Sequence, residues 1–236
     1  MSPEHTAARI DKVLLSELVD GVRKTFENAE TLYREATLLA TSGFLSHALF
    51  LHQISLEECA KIEMLGAWAT GMLLGHEVDA EKVRKAMANH ERKNRTNAYF
   101  LEISEEEKAA RDAGDFSGSM KVFSKMQEEF HRKANIAKNA ALYVDFTGGK
   151  FVAPNERTTA TMLAEIAELN EKHLGISFPR ISLLQTMEED ADAIAAELVQ
   201  FEKRIEDLAA ELPDDPVKVF EIAFGEMREA RLKRIK

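Results

Sequence analysis

Residues 44–75 read FLSHALFLHQISLEECAKIEMLGAWATGMLLG, and this stretch decides the fold. Its apolar side chains recur every three or four positions, which is the period of an α-helix. Its longest apolar run, residues 64–75, has twelve residues with three glycines, short of the roughly 18 that span a bilayer. The stretch therefore predicts a long helix in the core of a helical protein and no membrane span.

The rest of the chain shows the same helical period. Residues 6–39 predict a long amphipathic helix that ends near Gly43, and Ser42 is the expected cap of the helix after it. Two long antiparallel helices follow from this spacing. Asp79 is a plausible cap for a third helix, and a fourth precedes residue 142. Three further helices are predicted over residues 156–173, 182–211 and 216–236, separated by Pro179, Pro213 and Pro216.

One short segment, LYVDF-TGGK-FVAP, departs from the helical period. Residues that favour strands flank Gly148 and Gly149, so the segment predicts a β-hairpin. An isolated hairpin is marginally stable, so we expect it to lie on the helices. The fold class is therefore all-α, a bundle of long antiparallel helices with one small β-hairpin. We expect residues 1–155 to form the core and residues 156–236 to pack on it, in one continuous domain.

Composition and charge limit the function classes. The 236 residues carry 31 basic and 41 acidic side chains, a net charge of −10. This balance argues against a protein that binds nucleic acid through positive charge over its whole surface. Two segments are nevertheless basic: residues 82–95 hold six cations against one acid, and residues 121–138 hold five against two. A phosphate-bearing ligand would favour these segments, although each also fits a solvated helix face. Residues 188–215 are strongly acidic, and whether they cover the basic segments stays open.

The one cysteine and the first residues point to the cytoplasm. Cys59 excludes an internal disulfide framework, and we expect it to be a buried small apolar side chain. The opening residues MSPEHTAARIDKVLL lack a basic start and an apolar signal core. The sequence therefore predicts a cytoplasmic protein.

The second helix carries LEECAK, with Glu57, Glu58 and Lys61. Glu58 lies in line with the apolar stripe of the helix, so we expect its carboxylate to face the core and to need a partner. Glu57 and Lys61 are four residues apart and predict a surface ion pair. These three residues are expected to serve as a structural network or to support a site.

The basic segment contains Arg84 and His90 with five residues between them, followed by Lys93. A histidine beside cations can act as general acid or base on an RNA 2′-hydroxyl while a cation stabilises the phosphate, without a metal. On an ideal helix Arg84 and His90 point about 120° apart. His90 and Lys93 share a face, and His90 with either Lys93 or Arg92 forms the more coherent pair. Phosphate contacts are expected from Lys85, Arg92, Arg95 and Arg132.

Metal and cofactor signals are weak. The fourth helix has a single Glu-x-x-His, at Glu128 and His131, and a di-iron bundle needs two. No metal and no cofactor are therefore predicted. Tyr143, at the end of that helix, is either a site residue or an aromatic that packs on the bundle.

Together these residues resemble the AbiV family of abortive infection proteins, which are helical members of the HEPN-like group. The resemblance covers residues 28–155. It rests on the order and spacing of Gly43 and Phe44, the Glu57, Glu58 and Lys61 trio, His90 and Lys93 as His-x-x-Lys, and Lys138 leading into LYVDF with Pro154 after it.

The resemblance implies a cytoplasmic homodimer that defends against phage by shutting down growth or translation. Many HEPN-like proteins are metal-independent ribonucleases with Arg-x4-6-His at a dimer cleft. Arg84 and His90 fit that spacing, but Lys85 replaces the small polar residue that usually follows the arginine. A later helix offers Arg132, Lys138 and Tyr143 instead. The expected partners are RNA or the translation machinery and a phage-encoded protein, and a non-catalytic protein-binding module is the alternative.

Overall fold

The computed structural model describes residues 11–213 and 215–234, without the side chains of Val217 and residues 231–234. Ten α-helices and a two-stranded antiparallel sheet occupy this part of the chain, in the order α1 Lys12–Thr41, α2 Leu45–Leu73, α3 Ala80–Ala88, α4 His90–Asn97, α5 Glu105–Asp112, α6 Phe116–Leu142, β1 Asp145–Thr147, β2 Lys150–Val152, α7 Pro154–Arg157, α8 Ala160–Glu189, α9 Ala191–Glu211 and α10 Pro216–Arg234. The all-α fold class with one hairpin is confirmed. The predicted start of the first helix at Thr6 and the last two residues of the predicted final helix lie outside the described residues.

Helix α2 is the centre of the bundle. It packs on α1 and α8 along one side and on α4 and α6 along the other. Two buried apolar clusters flank it: Leu18, Ile62 and Leu184 belong to the one that joins α1, α2 and α8, and Leu56 and Ala141 belong to the one that joins α2, α6 and α8. Because neighbours surround α2, a polar side chain on almost any of its faces is buried.

The helix ends differ from the predictions at three places. Ser42 is the C-cap of α1, where its backbone N–H bonds to the carbonyl of Leu38, and it does not cap α2. Asp79 caps α3 as predicted, because its side chain accepts from the backbone N–H of Lys82. Asn89 ends α3 and begins α4, so the predicted third helix is two. Pro179 lies inside α8, where the prediction placed a break.

The hairpin forms where it was predicted, but it is not covered by the helices. Gly148 and Gly149 both have positive φ, which a tight hairpin turn requires, and Phe146 is paired with Phe151 across the strands. The two rings are 61% and 75% exposed. The expectation that the hairpin lies on the bundle is therefore wrong for its aromatic face.

The C-terminal helices continue the bundle. Helix α8 packs on both α1 and α2, and the acidic helix α9 has α2, α8 and α10 as its main neighbours. Leu208 of α9 packs with Val219 and Ala223 of α10 in a small cluster of their own. None of the described helices combines the length and the apolar character that a membrane span requires.

Candidate functional site

The candidate site lies where α2, α4 and α6 meet, and the cap at Asn89 decides its geometry. The Asn89 side chain accepts a hydrogen bond from the backbone N–H of Arg92, and its own backbone is extended. Asparagine is among the preferred N-cap residues because its side chain satisfies a free N–H of the first turn. This cap makes His90 the first residue of α4 and directs it toward α2.

Glu57 is the centre of the site. It is 2% exposed, and three basic side chains reach its carboxylate. On Oε2 lie His90 Nδ1 at 2.5 Å and Lys93 Nζ at 2.6 Å, and on Oε1 lies Lys138 Nζ at 2.9 Å. Helices α2, α4 and α6 therefore each contribute to one buried ionic cluster, which we call the Glu57 cluster: Glu57, His90, Lys93 and Lys138.

The electrostatics of the Glu57 cluster favour an ionised carboxylate. Burial raises the pKa of Glu57, but the hydrogen bonds from Lys93, Lys138 and His90 outweigh burial and hold that pKa below its usual value. With both lysines charged, one carboxylate faces two ammonium groups before His90 is counted. The cluster therefore has an excess of positive charge and suits an anionic ligand.

His90 connects this cluster to the solvent. Its side chain is 54% exposed, whereas Lys93 and Lys138 are buried. Since the ionised Glu57 only accepts hydrogen bonds, His90 Nδ1 carries the proton and donates it. In the neutral tautomer this leaves Nε2 as an acceptor, with no protein partner among the described residues. A carboxylate that fixes a histidine in this way is the arrangement found in general-base catalysis.

Side-chain amide groups also join α4 to its neighbours α2 and α6. Gln127 of α6 donates to the backbone carbonyl of Arg95, Asn97 donates to that of Leu56, and Asn94 Nδ2 lies 3.3 Å from His131 Nδ1. The Oδ1 atoms of Asn94 and Asn97 and the Nε of Arg95 are buried without a partner. Unsatisfied buried polar atoms are uncommon, and their concentration on α4 fits a site that takes up water or ligand.

A second buried polar network joins α2 to α8 and α1. Ser55 Oγ donates to the backbone carbonyl of Ala29 at 2.7 Å and lies 3.1 Å from Asn170 Oδ1, and Asn170 Nδ2 lies 3.2 Å from His52 Nδ1. Burial lowers the pKa of His52 to about 4, so the ring is neutral and its Nδ1 accepts from Asn170. His173 of α8 is also buried, with its Nε2 3.2 Å from the backbone carbonyl of Asn97. No local sequence pattern indicates this network, and its neighbour His173 contacts the last residue of α4, Asn97.

Of the two glutamates of LEECAK, Glu57 departs from its expected position. Glu57 was expected at the surface with Lys61, but it is the buried hub of the cluster. Glu58 was expected to face inward with a partner, and its side chain is 12% exposed and pairs with Lys61 at 2.5 Å. The prediction followed the stripe that packs on α1. It failed because the opposite side of α2 is covered by α4 and α6 as well.

The remaining predicted site residues lie on the surface around the cluster. Arg84 and Lys85 pair with Glu81, at 2.8 and 3.5 Å, and Arg95 pairs with Glu91 at 3.0 Å. Arg84 has no contact with the Glu57 cluster. Two other predicted phosphate-binding residues, Arg92 and Arg132, are exposed, and none of the described carboxylates lies within ion-pair distance of them. Tyr143 is 62% exposed at the end of α6.

The candidate metal pair is not part of a metal-binding group. His131 lies beside Asn94, and Glu128 is exposed. Among the residues that the structure describes, no group of three or more His, Cys, Asp or Glu side chains is arranged to hold a metal ion.

Comparison with known proteins agrees with this architecture. The family model of the HEPN protein AbiV matches residues 17–175, which include α2, α4 and α6 with all four members of the Glu57 cluster. An uncharacterised protein, y4gJ of Sinorhizobium fredii (strain NBRC 101917 / NGR234), is 37% identical over 126 residues, which cover 53% of this chain and 66% of the relative. No solved structure matches the chain significantly. The chain therefore belongs to the AbiV family of HEPN proteins.

Proposed function

We propose that this protein is an abortive-infection effector that cleaves RNA without a metal, with His90 as the acid–base residue. The observation that carries the proposal is the contact between His90 Nδ1 and the buried, ionised Glu57, at 2.5 Å. It fixes the tautomer of a half-exposed ring and leaves Nε2 facing solvent as a base.

The reaction that fits this arrangement is an internal transfer at a phosphodiester. Nε2 of His90 takes the proton of an RNA 2′-hydroxyl, and that oxygen forms a bond to the adjacent phosphorus. The bond from phosphorus to the 5′ oxygen of the next nucleotide breaks, and the leaving oxygen takes a proton from water. The products are a 2′,3′-cyclic phosphate and a free 5′-hydroxyl.

Lys93 and Lys138 supply positive charge next to this histidine. Each ammonium group has three donor hydrogens, and the contact with Glu57 uses one of them. The remaining donors and the excess positive charge would stabilise the charge that develops on phosphate oxygens. Arg92 and Arg132, exposed on α4 and α6, would bind neighbouring phosphates.

Arg84 is a weaker candidate for the phosphate contact. It lies on α3 and is held by two hydrogen bonds to Glu81 at 2.8 Å. In a homodimer that brings two sites together, Arg84 of one copy would have to leave Glu81 to reach a phosphate. We therefore assign the stabilisation of phosphate charge to Lys93 and Lys138 rather than to Arg84, and we propose a cytoplasmic homodimer that acts on RNA of the translation machinery.

A non-catalytic module is the second candidate, and one observation favours it. Both lysines are buried and point at Glu57, so the cluster ties three helices together as a structural core would. In that case the protein would act by binding a phage-encoded or translation partner. The exposed Nε2 of His90 would then take no part in proton transfer.

The test is cleavage of total cellular RNA and of purified ribosomes by the purified protein in EDTA. His90→Ala is compared with His47→Ala, because His47 is an exposed histidine on α2 outside the cluster. We expect wild type and His47→Ala to give fragments with 2′,3′-cyclic phosphate ends, and His90→Ala to leave the RNA intact. Full cleavage by His90→Ala would reject the assignment. Growth arrest that survives in His90→Ala without any cleavage would favour the non-catalytic module.

A further inference from the structure

The hairpin presents two phenylalanine rings that the fold leaves uncovered. Phe146 and Phe151 are cross-strand partners with ring centroids 5.0 Å apart, and Val144 on the same face is also exposed. Aromatic side chains favour burial strongly, so a pair of rings held in solvent on a short hairpin marks an interaction site.

The charge around these rings favours a negatively charged partner. Asp145 is held by Arg157, whose NH1 lies 3.3 Å from Asp145 Oδ2. Lys150, directly before Phe151, has no carboxylate partner in the part of the chain that the structure describes. The hairpin therefore has one unpaired cation and no unpaired anion.

The hairpin also continues directly from the candidate site. Tyr143 ends α6 five residues after Lys138, a distance of about 8 Å along a helix that rises about 1.5 Å per residue. Tyr143 is exposed at this end of the helix, between the Glu57 cluster and the strands. A strand of a few nucleotides is long enough to span this separation of Lys138 and Tyr143 along α6.

We propose that the aromatic face of the hairpin, Phe146 and Phe151, stacks unpaired bases of the RNA whose phosphates lie at the Glu57 cluster. This inference rests on the proposed function, because it assigns how the same substrate is held. Flat aromatic rings next to cations suit single-stranded RNA, because an unpaired base has a free face for stacking, whereas the bases of a duplex are already stacked on one another.

A second copy of the chain is a less suitable occupant. A twofold contact brings each patch against its own copy, so the Lys150 side chains of the two copies would approach each other. RNA instead places phosphates near Lys150 and near Arg132 of α6, and none of the described carboxylates lies within ion-pair distance of Arg132 either. The charge distribution therefore favours RNA.

The binding test uses a fluorescein-labelled twelve-nucleotide RNA, the same strand in a duplex, and an abasic twelve-mer of equal charge. Fluorescence anisotropy of the full-length protein measures each dissociation constant at fixed salt. We expect wild type to prefer the single strand over both other probes. The double variant Phe146→Leu and Phe151→Leu keeps apolar side chains but removes the rings, and it should bind the single strand about tenfold more weakly. Its affinity for the abasic strand should not change.

Two further variants control for folding and for position. Phe178→Leu changes an equally exposed ring on α8 and should bind like wild type. Phe151→Trp keeps an aromatic ring at this position and should report stacking directly, because a stacked base quenches the new indole fluorescence relative to the Trp68 background. Wild-type affinity of the double variant for the single strand would overturn the proposal.

The two proposals fail in different ways. If wild type cleaves no RNA but the double variant loses single-strand binding, the ribonuclease proposal fails and the stacking proposal stands. If His90→Ala abolishes cleavage while the double variant cleaves with unchanged KM, the stacking proposal fails alone. If the double variant converts a dimer to a monomer in light scattering and the abasic strand binds as tightly as RNA, the rings belong to a second copy.

Discussion

Lys138 of α6 donates a hydrogen bond to Glu57 of α2 across 81 residues of sequence, with Nζ 2.9 Å from Oε1. Both side chains are buried, and Lys93 of α4 reaches the other oxygen of the same carboxylate. One carboxylate therefore joins three helices that are distant in sequence. The same carboxylate also accepts a hydrogen bond from Nδ1 of His90, which orients that half-exposed ring.

Removal of the Glu57 charge should destabilise the fold strongly. Glu57→Gln leaves two buried ammonium groups without their counter-ion, and we expect the free energy of unfolding to fall by about 3 to 5 kcal/mol. Glu129→Gln on α6 is the control, because that side chain is 48% exposed and its ion pair with Lys133 lies on the surface; its free energy of unfolding should change much less than that of Glu57→Gln. Urea unfolding of both variants provides the measurement. An equal loss in the free energy of unfolding for the two variants would contradict the assignment of Glu57 as the hub.

Loss of one lysine should cost less than loss of the carboxylate. Lys138→Met leaves Glu57 paired with Lys93 and removes the excess positive charge, so the cluster becomes neutral. We expect the free energy of unfolding to fall by about 1 to 3 kcal/mol, less than for Glu57→Gln. The same denaturation series measures it. A cost for Lys138→Met above that of Glu57→Gln would show that the charge balance described here is wrong.

The stability of the protein should decrease between neutral and mildly acidic pH because of His52. Burial lowers the pKa of His52 from 6.5 to about 4, so between these values the unfolded chain binds more protons than the folded one. Stability therefore falls as pH falls through this window, by about 2 kcal/mol between pH 7 and pH 5. His52→Gln keeps an acceptor for Asn170 and removes the titration. Urea unfolding at both pH values should show a smaller change in this variant, and an unchanged loss would exclude His52 as the cause.

The native thiol should be unreactive. Cys59 is buried between α1 and α8, and burial raises its pKa to about 12. Because the thiolate is the nucleophile, the folded protein should not react with a disulfide reagent such as dithionitrobenzoate on the time scale of the free amino acid. In urea the reaction should become fast. Rapid labelling of the native protein at neutral pH would contradict the burial of this residue.

Much of the architecture follows from local sequence patterns. The helical period gave α1, α2 and α6, the carboxylate of Asp79 indicated the start of α3, and Gly148 with Gly149 indicated the hairpin turn. His90 and Lys93 both reach Glu57, because residues three positions apart on one helix share a face. These features depend on neighbouring residues, so a single sequence is sufficient for them.

The Glu57 cluster depends on tertiary contacts that periodicity does not contain. An apolar stripe identifies one buried face of a helix, but α2 is covered on both sides, and the sequence does not say which polar residue faces α4 and α6. Glu57 and Glu58 point about 100° apart on the helix, so the face that is taken as buried decides which of the two carboxylates is predicted to be buried. Pro179 shows a related limit, because α8 continues through a residue that usually interrupts a helix.

We propose that Glu57 holds His90 for chemistry and not only for stability. The most direct measurement is the single-turnover rate of RNA cleavage in EDTA by His90→Ala, together with its free energy of unfolding. Because the ring is half-exposed and the lysines remain on Glu57, we expect unfolding to change by about 1 to 2 kcal/mol, while cleavage slows by about 100-fold or more. A folded His90→Ala protein that cleaves RNA at the wild-type rate would contradict the account.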